Sequence, residues 1–264
     1  MDLQLAGKSA LVTGSTAGIG HAIALALARE GVRVTINGRS AERVAAACAT
    51  IRETVAGATV QGIAADLGTA AGTQALIGQL PDVDILVNNL GIFEPKAFAD
   101  IADADWLRLF EINVMSGVRL SRHYLPGMKA RNWGRVIFVS SESGVNTPAE
   151  MVHYGMTKSA QLAVARGMAE TTVGSAVTVN SVLPGPTMTE GVGDFVGKLA
   201  AEEGISVGEM ERRFFAEARP SSLLKRFIDP AEVASLVAYL CSPLAAATNG
   251  AALRADGGVV RSIV

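Results

Sequence analysis

The run HYGMTK, residues 153–158, sets Tyr154 and Lys158 four apart within a stretch of helical spacing. Residues four apart on a helix share a face, one turn from each other. A free phenol, with a pKa of about 10, is a poor base near neutrality. An ammonium group within a few ångströms favours the phenolate. The pair therefore suits proton exchange with a substrate oxygen, although the same spacing also serves as a plain surface contact. Two further positions could complete a site. Ser141 ends the apolar run GRVIFVSS, where a hydroxyl can donate to a developing alkoxide; a turn former is the plainer reading. Asn113 interrupts a long helical pattern, for which asparagine has poor propensity.

A second cluster could hold a phosphate. TGSTAGIG, residues 13–20, follows the short apolar run KSALVT and brings Gly14, Gly18 and Gly20 into a strand-to-helix turn. Such a turn needs permissive backbone angles and close approach to the ligand. The helix that follows presents free N–H groups and a positive dipole end to a diphosphate. The spacing is G-x-x-x-G-x-G, and a structural turn without a ligand is the alternative.

The elements around these residues alternate. Strand patterns at 8–13, 32–38, 59–66, 83–89, 134–141, 176–185 and 250–258 are separated by helical patterns at 20–31, 40–55, 69–80, 103–132, 149–172 and 230–242. Most of the strands are continuously apolar, as in a parallel sheet covered on both faces. The expected fold class is α/β, a doubly wound parallel sheet with helices on both sides. Pro126 should bend or loosen the later part of the 103–132 helix. No linker, repeat or low-complexity stretch divides the chain, so a single domain over 1–264 is expected. The irregular segment 186–228 is long for a compact domain and reads as a flap or binding loop.

Composition narrows the function. A net charge of −2 argues against a nucleic-acid partner. Cys48 and Cys241 match no metal spacing and form no disulfide framework. No apolar run is long enough to span a bilayer, and the N-terminus lacks a leader pattern, so a cytoplasmic protein with no membrane partner is expected. His21, His123 and His153 pair with no nucleophile or ligand set; they read as structural or solvated, and no metal is expected. Glu202 and Glu203 read as a solvated helix face.

Several motifs occur together and in order: TGSTAGIG, NNLG (88–91), Asn113 in EINVMSG, Ser141 in VSSESG, YGMTK, and PGPTMT (184–189). From Lys8 to the DGG at 256–258 the chain resembles the short-chain dehydrogenase/reductase family, in its compact single-domain branch. The resemblance implies a Rossmann-type sheet of about seven strands. It also implies a nicotinamide cofactor and hydride transfer with a carbonyl or secondary alcohol, as in 3-oxoacyl or other ketone reductases. Tyr154 would be the acid/base, Lys158 its partner and the holder of the nicotinamide ribose, Ser141 the ligand of the substrate oxygen, and Asn113 the holder of a proton-relay water. The turn residues Gly14, Ser15, Thr16, Gly18, Ile19 and Gly20 would meet the cofactor. Asp66 would bind the adenine amine, with Leu67 against its face, and Asn89 and Gly91 would line the adenosine ribose. Pro184, Gly185, Thr187 and Thr189 would also contact the cofactor, Thr187 through its backbone to the nicotinamide amide. Two positions depart from the family pattern. Leu90 replaces the usual alanine, which could narrow the groove, and Thr187 replaces isoleucine or valine.

The end of the second strand bears on cofactor choice. In INGRS, Gly38 occupies the position where an acid would bind the ribose of NAD, and Arg39 follows it. An arginine there suits a 2′-phosphate, and Ser40 could add a hydrogen bond or simply cap a helix. NADP(H) is favoured, with NAD(H) as the alternative. The flap, about 187–228, should form one or two short amphipathic helices over a pocket for a medium-sized apolar carbonyl compound. The helices at 103–132 and 149–172 imply, by the same resemblance, a four-helix interface and a homotetramer, with a dimer as runner-up. Gly155 either leaves room beside the phenol or serves packing. A non-catalytic cofactor-binding regulator, or epimerase or dehydratase chemistry, would be the competing functions.

Overall fold

The computed structural model describes residues 1–263. Its strands are β1 (Ser9–Val12), β2 (Arg33–Gly38), β3 (Val60–Ala64), β4 (Ile85–Asn88), β5 (Gly134–Val139), β6 (Val177–Pro184) and β7 (Ala252–Ala255). They form one parallel sheet in the order β3-β2-β1-β4-β5-β6-β7. Every residue of β4, β5 and β6 is buried, and polar members such as Arg135 and Asn180 bond to backbone carbonyls there.

The helices are α1 (Gly18–Arg29), α2 (Ala41–Thr54), α3 (Ala70–Gln79), α4 (Asp103–Phe110), α5 (Ser116–Ala130), α6 (Val152–Glu170), α7 (Glu190–Glu203), α8 (Val207–Glu217) and α9 (Pro230–Cys241). Leu27, Ile51 and Val237 bring α1, α2 and α9 onto one face of the sheet. Leu76, Leu120 and Ala165 bring α3, α5 and α6 onto the other. This is the expected doubly wound, Rossmann-like arrangement. Strand order reverses between β1 and β4, where the chains leaving each strand diverge and open a crevice.

Local chemistry starts several helices. Ser40 accepts from the Arg43 N–H to cap α2, and Thr69 accepts from the Gly72 N–H to cap α3. Asp229 and Glu232 form a reciprocal capping box around Pro230 at the head of α9.

One region differs from the pattern expected of it. The 103–132 stretch is not one helix. It widens into a π turn over Glu111–Met115, between α4 and α5. Such turns insert an extra residue and re-aim side chains, and Asn113 lies at the middle of this one. Pro126 sits inside α5 without ending it. The 186–228 segment holds two helices, α7 and α8, with a small core of their own: Val196, Ala200, Met210, Phe215 and Phe227. Gly204 ends α7 in the left-handed conformation, φ 67°.

Leu120 is fully buried between α5 and the sheet, whereas Val173 in the turn after α6 is 82% exposed. Leu120→Ala should cost about 2–5 kcal/mol, and Val173→Ala less than about 0.5 kcal/mol. Urea denaturation of both variants checks the contrast.

Candidate active site

The crevice is stitched across its base by Thr13 and Asn89. Thr13 Oγ1 accepts from the Asn89 and Leu90 N–H groups, each at 2.9 Å. The Asn89 amide returns to Thr13 O at 2.9 Å and Gly14 O at 3.1 Å. Gly14 and Gly18 both have φ 58°, which disfavours any side chain. At Gly20 a Cβ would lie 2.4 Å from Asn89 Nδ2 and 2.6 Å from Gly14 O, so nothing larger fits. Ala17 precedes α1 with no side-chain cap, leaving first-turn N–H groups for an anion. The turn therefore fits a dinucleotide diphosphate. Ser15 serves the turn itself, because its hydroxyl donates to Val12 O and accepts from the Asn37 N–H.

Gly38 ends β2, and a Cβ there would approach Thr16 Cγ2 to 2.5 Å. An acidic side chain has no room without displacing Thr16. Arg39 is exposed beside it. Sequence reasoning missed a second cation, Arg43. It lines the cleft from the first turn of α2 and stands 3.8 Å from Glu190. Its signal was its place three residues after the Ser40 cap, since helical side chains lean toward the N-terminus.

Three expected adenosine contacts have local roles in this structure. Ser40 is the α2 cap. Asp66 Oδ1 accepts from the Gly68 N–H at 3.1 Å. The Leu67 side chain is 1% exposed and belongs to the core, so it cannot lie against an adenine without leaving that core. Leu90 is partly buried against that cluster, with its Cδ1 3.4 Å from where a Gly14 Cβ would be.

A single cleft of about 680 Å³ joins the rest. Gly18, Ile19, Gly20, Asn89 and Gly91 line it from the β1 and β4 loops. Ser141, Tyr154 and Lys158 line it from β5 and α6, and Pro184, Gly185, Thr187 and Thr189 from the end of β6. Gly185 is tightly placed, since a Cβ would sit 2.5 Å from Asp256 O. Gly14, Ser15, Thr16, Arg39, Ser40, Asp66, Leu67 and Asn113 are not among its lining residues. Thr189 caps α7 and brings its methyl group to the glycine turn, 3.1 Å from where a Gly18 Cβ would be.

Tyr154 and Lys158 share a face of α6, but the lysine is turned from the phenol. Its Nζ donates to Val139 O at 2.9 Å and Gln161 Oε1 at 3.2 Å, and lies 5.6 Å from the Tyr154 ring centroid. Burial drives the lysine down to about 7. Burial also pushes the Tyr154 phenol up to about 12, against a downward pull from the Ser141 hydroxyl. The expected lysine-driven lowering of the tyrosine is thus absent here: desolvation outweighs it, and near neutrality the lysine is only partly charged.

The Asn113 amide is engaged with the chain itself. Its Oδ1 accepts from the Ile92 N–H at 2.8 Å, and its Nδ2 donates to Ile92 O and Thr157 Oγ1. Its backbone carbonyl accepts from Gln161 Nε2 at 2.6 Å. Gln161, 1% exposed, thereby links Lys158 directly to Asn113. Sequence reasoning passed over it, although it lies three residues beyond Lys158 and seven beyond Tyr154, on the same helical stripe.

Gly155 is explained by packing, since a Cβ would stand 2.4 Å from Thr147 Cγ2. His153 is buried edge-on to Trp106, and His123 bonds Pro81 O, so neither joins the cleft.

Residues 8–199 match the short chain dehydrogenase family, and the chain belongs to that family. It is 52% identical to an uncharacterised oxidoreductase of Bacillus subtilis, YvaG, over the full length of both. It is 36% identical to a D-beta-hydroxybutyrate dehydrogenase of Cupriavidus necator, covering 97% of this chain and 99% of that one. Among solved structures, L-sorbose reductase from Gluconobacter frateurii, complexed with NADPH and L-sorbose, superposes with a TM-score of 0.93 at 31% identity over all of both chains. The protein is therefore a short-chain oxidoreductase, an enzyme acting on hydroxyl and carbonyl groups.

The low Lys158 pKa has a consequence for stability. Between about 7 and 10.5 the unfolded lysine holds a proton that the folded one has lost. The unfolded state thus binds more protons in this window, and stability rises with pH across it, by at most about 1.4 kcal/mol per pH unit. Urea unfolding at pH 7.5 and 9.5 should show this rise in the wild type, and Lys158→Met should flatten it.

Proposed function

We propose that this enzyme uses NADP(H) and reduces a ketone, reversibly, with Tyr154, Ser141 and Lys158 as its working residues. The carrying observation is that these three side chains meet the glycine turn and its uncapped helix end in one cleft. When bound, the reduced nicotinamide supplies a hydride to the carbonyl carbon and is left oxidised. Tyr154 gives its phenolic proton to the carbonyl oxygen, which completes the alcohol. A phenol held near 12 stays protonated across the neutral range, so its proton is in place for the carbonyl oxygen. The Ser141 hydroxyl holds the same oxygen as negative charge develops on it. Lys158 would hold the nicotinamide ribose from the place that Val139 O and Gln161 give it. Asn113 acts as a positioning residue. Through Ile92 and Thr157 it fixes the loop after β4 against α6.

Support for NADP(H) over NAD(H) comes from the missing acid at Gly38, the steric closure of that site by Thr16, and the Arg39 and Arg43 cations. The Gluconobacter reductase, solved with NADPH, supports the same choice. We further infer one domain over 1–264 and a homotetramer, with a dimer as runner-up. Exposed Leu107 and Phe110 on α4 support burial of that helix against a second copy. A monomer in light scattering at micromolar concentration would overturn the assembly.

Two measurements test the chemistry. Tyr154→Phe should lower kcat for ketone reduction by about 10²–10⁴-fold while NADPH still binds. Arg39→Ala and Arg43→Ala should each weaken NADPH by about 10–100-fold, the weight of a charge-assisted contact, and leave NADH nearly unchanged. Equal wild-type affinity for NADPH and NADH, by fluorescence titration, would refute the cofactor assignment.

A further inference from the structure

The segment that carries α7 and α8 is a closed excursion from the sheet. Its two ends meet at a neck, where Thr187 pairs with Ile228 and the Ile228 N–H donates to Pro186 O at 2.8 Å. Past the neck it lines the cleft with Phe195, Leu199 and Phe214. One side chain ties it to the stretch beside Ser141 and Tyr154. Arg219, just after α8, is 8% exposed. Its Nε donates to Glu142 Oε1 at 3.1 Å, and its Nη1 to Glu150 Oε1 at 3.1 Å and to Ala218 O at 2.8 Å. The guanidinium also lies 5.9 Å from the Phe214 ring centroid. Among the described residues, no other side chain of 190–228 forms a hydrogen bond or ion pair with 141–151.

The two carboxylates belong to the elements that present the reacting groups. Glu142 follows Ser141 and opens the 3₁₀ turn Glu142–Gly144. That turn orients the serine, because Ser141 Oγ accepts from the Ser143 N–H at 3.1 Å. Glu150 lies in the turn just before α6, four residues ahead of Tyr154. Its backbone carbonyl accepts from the Lys96 N–H at 2.9 Å, in the loop after β4. Arg219 thus gathers onto one group the α7–α8 segment, the Ser141 turn and the head of the tyrosine helix. A guanidinium keeps its charge in a protein and needs acceptors when buried. Its planar fork fixes direction as well as distance, which an ammonium does not. Burial pushes the Glu142 carboxyl up, against the pull of Arg219 and of the Ser143 side chain. Breaking such a pair from one side leaves a buried charge without compensation, so each partner holds the other in place.

We propose that Arg219 is a positioning residue: it latches the α7–α8 segment to the Ser141 turn and to the head of α6, and so sets the width of the cleft where the substrate reacts. This rests on the reading of Ser141 and Tyr154 as the reacting end. Arg219 acts through Glu142 and Glu150. Its loss lets the apolar wall of Phe195, Leu199 and Phe214 drift from that end, which loosens the fit of the substrate and acts on KM more than on kcat.

The test compares the full-length wild type with Arg219→Met, which keeps an unbranched side chain beside Phe214. Hydrogen–deuterium exchange is followed peptide by peptide, without and with NADPH. Exchange should rise about tenfold in 190–217 and in 142–151 and stay level in α1, α2 and α3. Arg219→Lys should restore part of the protection, because an ammonium can still hold one carboxylate. If Arg219→Met does not fold, Arg219→Met together with Glu142→Gln removes the pair without stranding a buried charge, and takes its place. Reduction of 2-octanone and of cyclohexanone with NADPH gives the second readout: KM should rise about tenfold while kcat holds within about threefold. Unchanged exchange in the two segments, a rise spread evenly over the chain, or a loss confined to kcat would overturn the Arg219 assignment and leave the reductase reading in place. A wild type that binds NADPH but reduces neither ketone would count against the reductase reading alone, and the exchange result would still decide Arg219.

Discussion

The site depends on a narrow join between two neighbouring strands. β1 and β4 lie side by side, yet the chain leaving one turns into α1 and the chain leaving the other runs toward α4. The gap this creates would collapse or gape without a tie. Thr13 and Asn89 supply it with four hydrogen bonds between the two loops. The tie leaves no space for a side chain at Gly20. It holds the head of α1, with its unpaired N–H groups, facing the cleft. The residues of α6 can act on a bound molecule only because this side of the crevice stays in place.

A second network holds the opposite wall. The π turn between α4 and α5 buries Asn113, whose side chain grips both backbone groups of Ile92 and the Thr157 hydroxyl. A regular helix would aim that side chain elsewhere. Gln161 extends the network to Lys158 through the Asn113 carbonyl. An amide is held by its own helix, so it fixes the lysine at a definite place. Buried there, the lysine is only partly charged near neutrality, and the buried phenol keeps its proton. The acid and base strengths of the pair are set by burial more than by their proximity.

Much of this was legible in the residue pattern, for identifiable reasons. The central strands of the parallel sheet are buried on both faces, so their largely apolar runs stood out, and all seven strands fell where expected. The glycine turn, Ser141, Tyr154 and Lys158 were visible because residue type and spacing both mark them. The π turn was not, since an extra residue in a helix leaves the apolar periodicity almost intact. Arg43 and Gln161 look like ordinary helix residues, and only the fold reveals what they touch. The direction of the Tyr154 shift was misjudged, because spacing reports proximity and not the depth at which a group loses its water. Asp66 and Ser40 serve their own turn and cap, a use that residue type alone does not separate from ligand binding.

The segment carrying α7 and α8 packs chiefly against itself, around Met210, Phe215 and Phe227. The sheet has separate cores on each of its faces. Phe195, Leu199 and Phe214, which face the cleft, lie at the edge of that separate core or beyond it. Shape changes on this inner surface therefore need not propagate into the sheet that supports the cofactor turn. Molecular fit and structural integrity are largely decoupled in this architecture, so the pair of helices is a natural place to redesign selectivity by recombining whole segments.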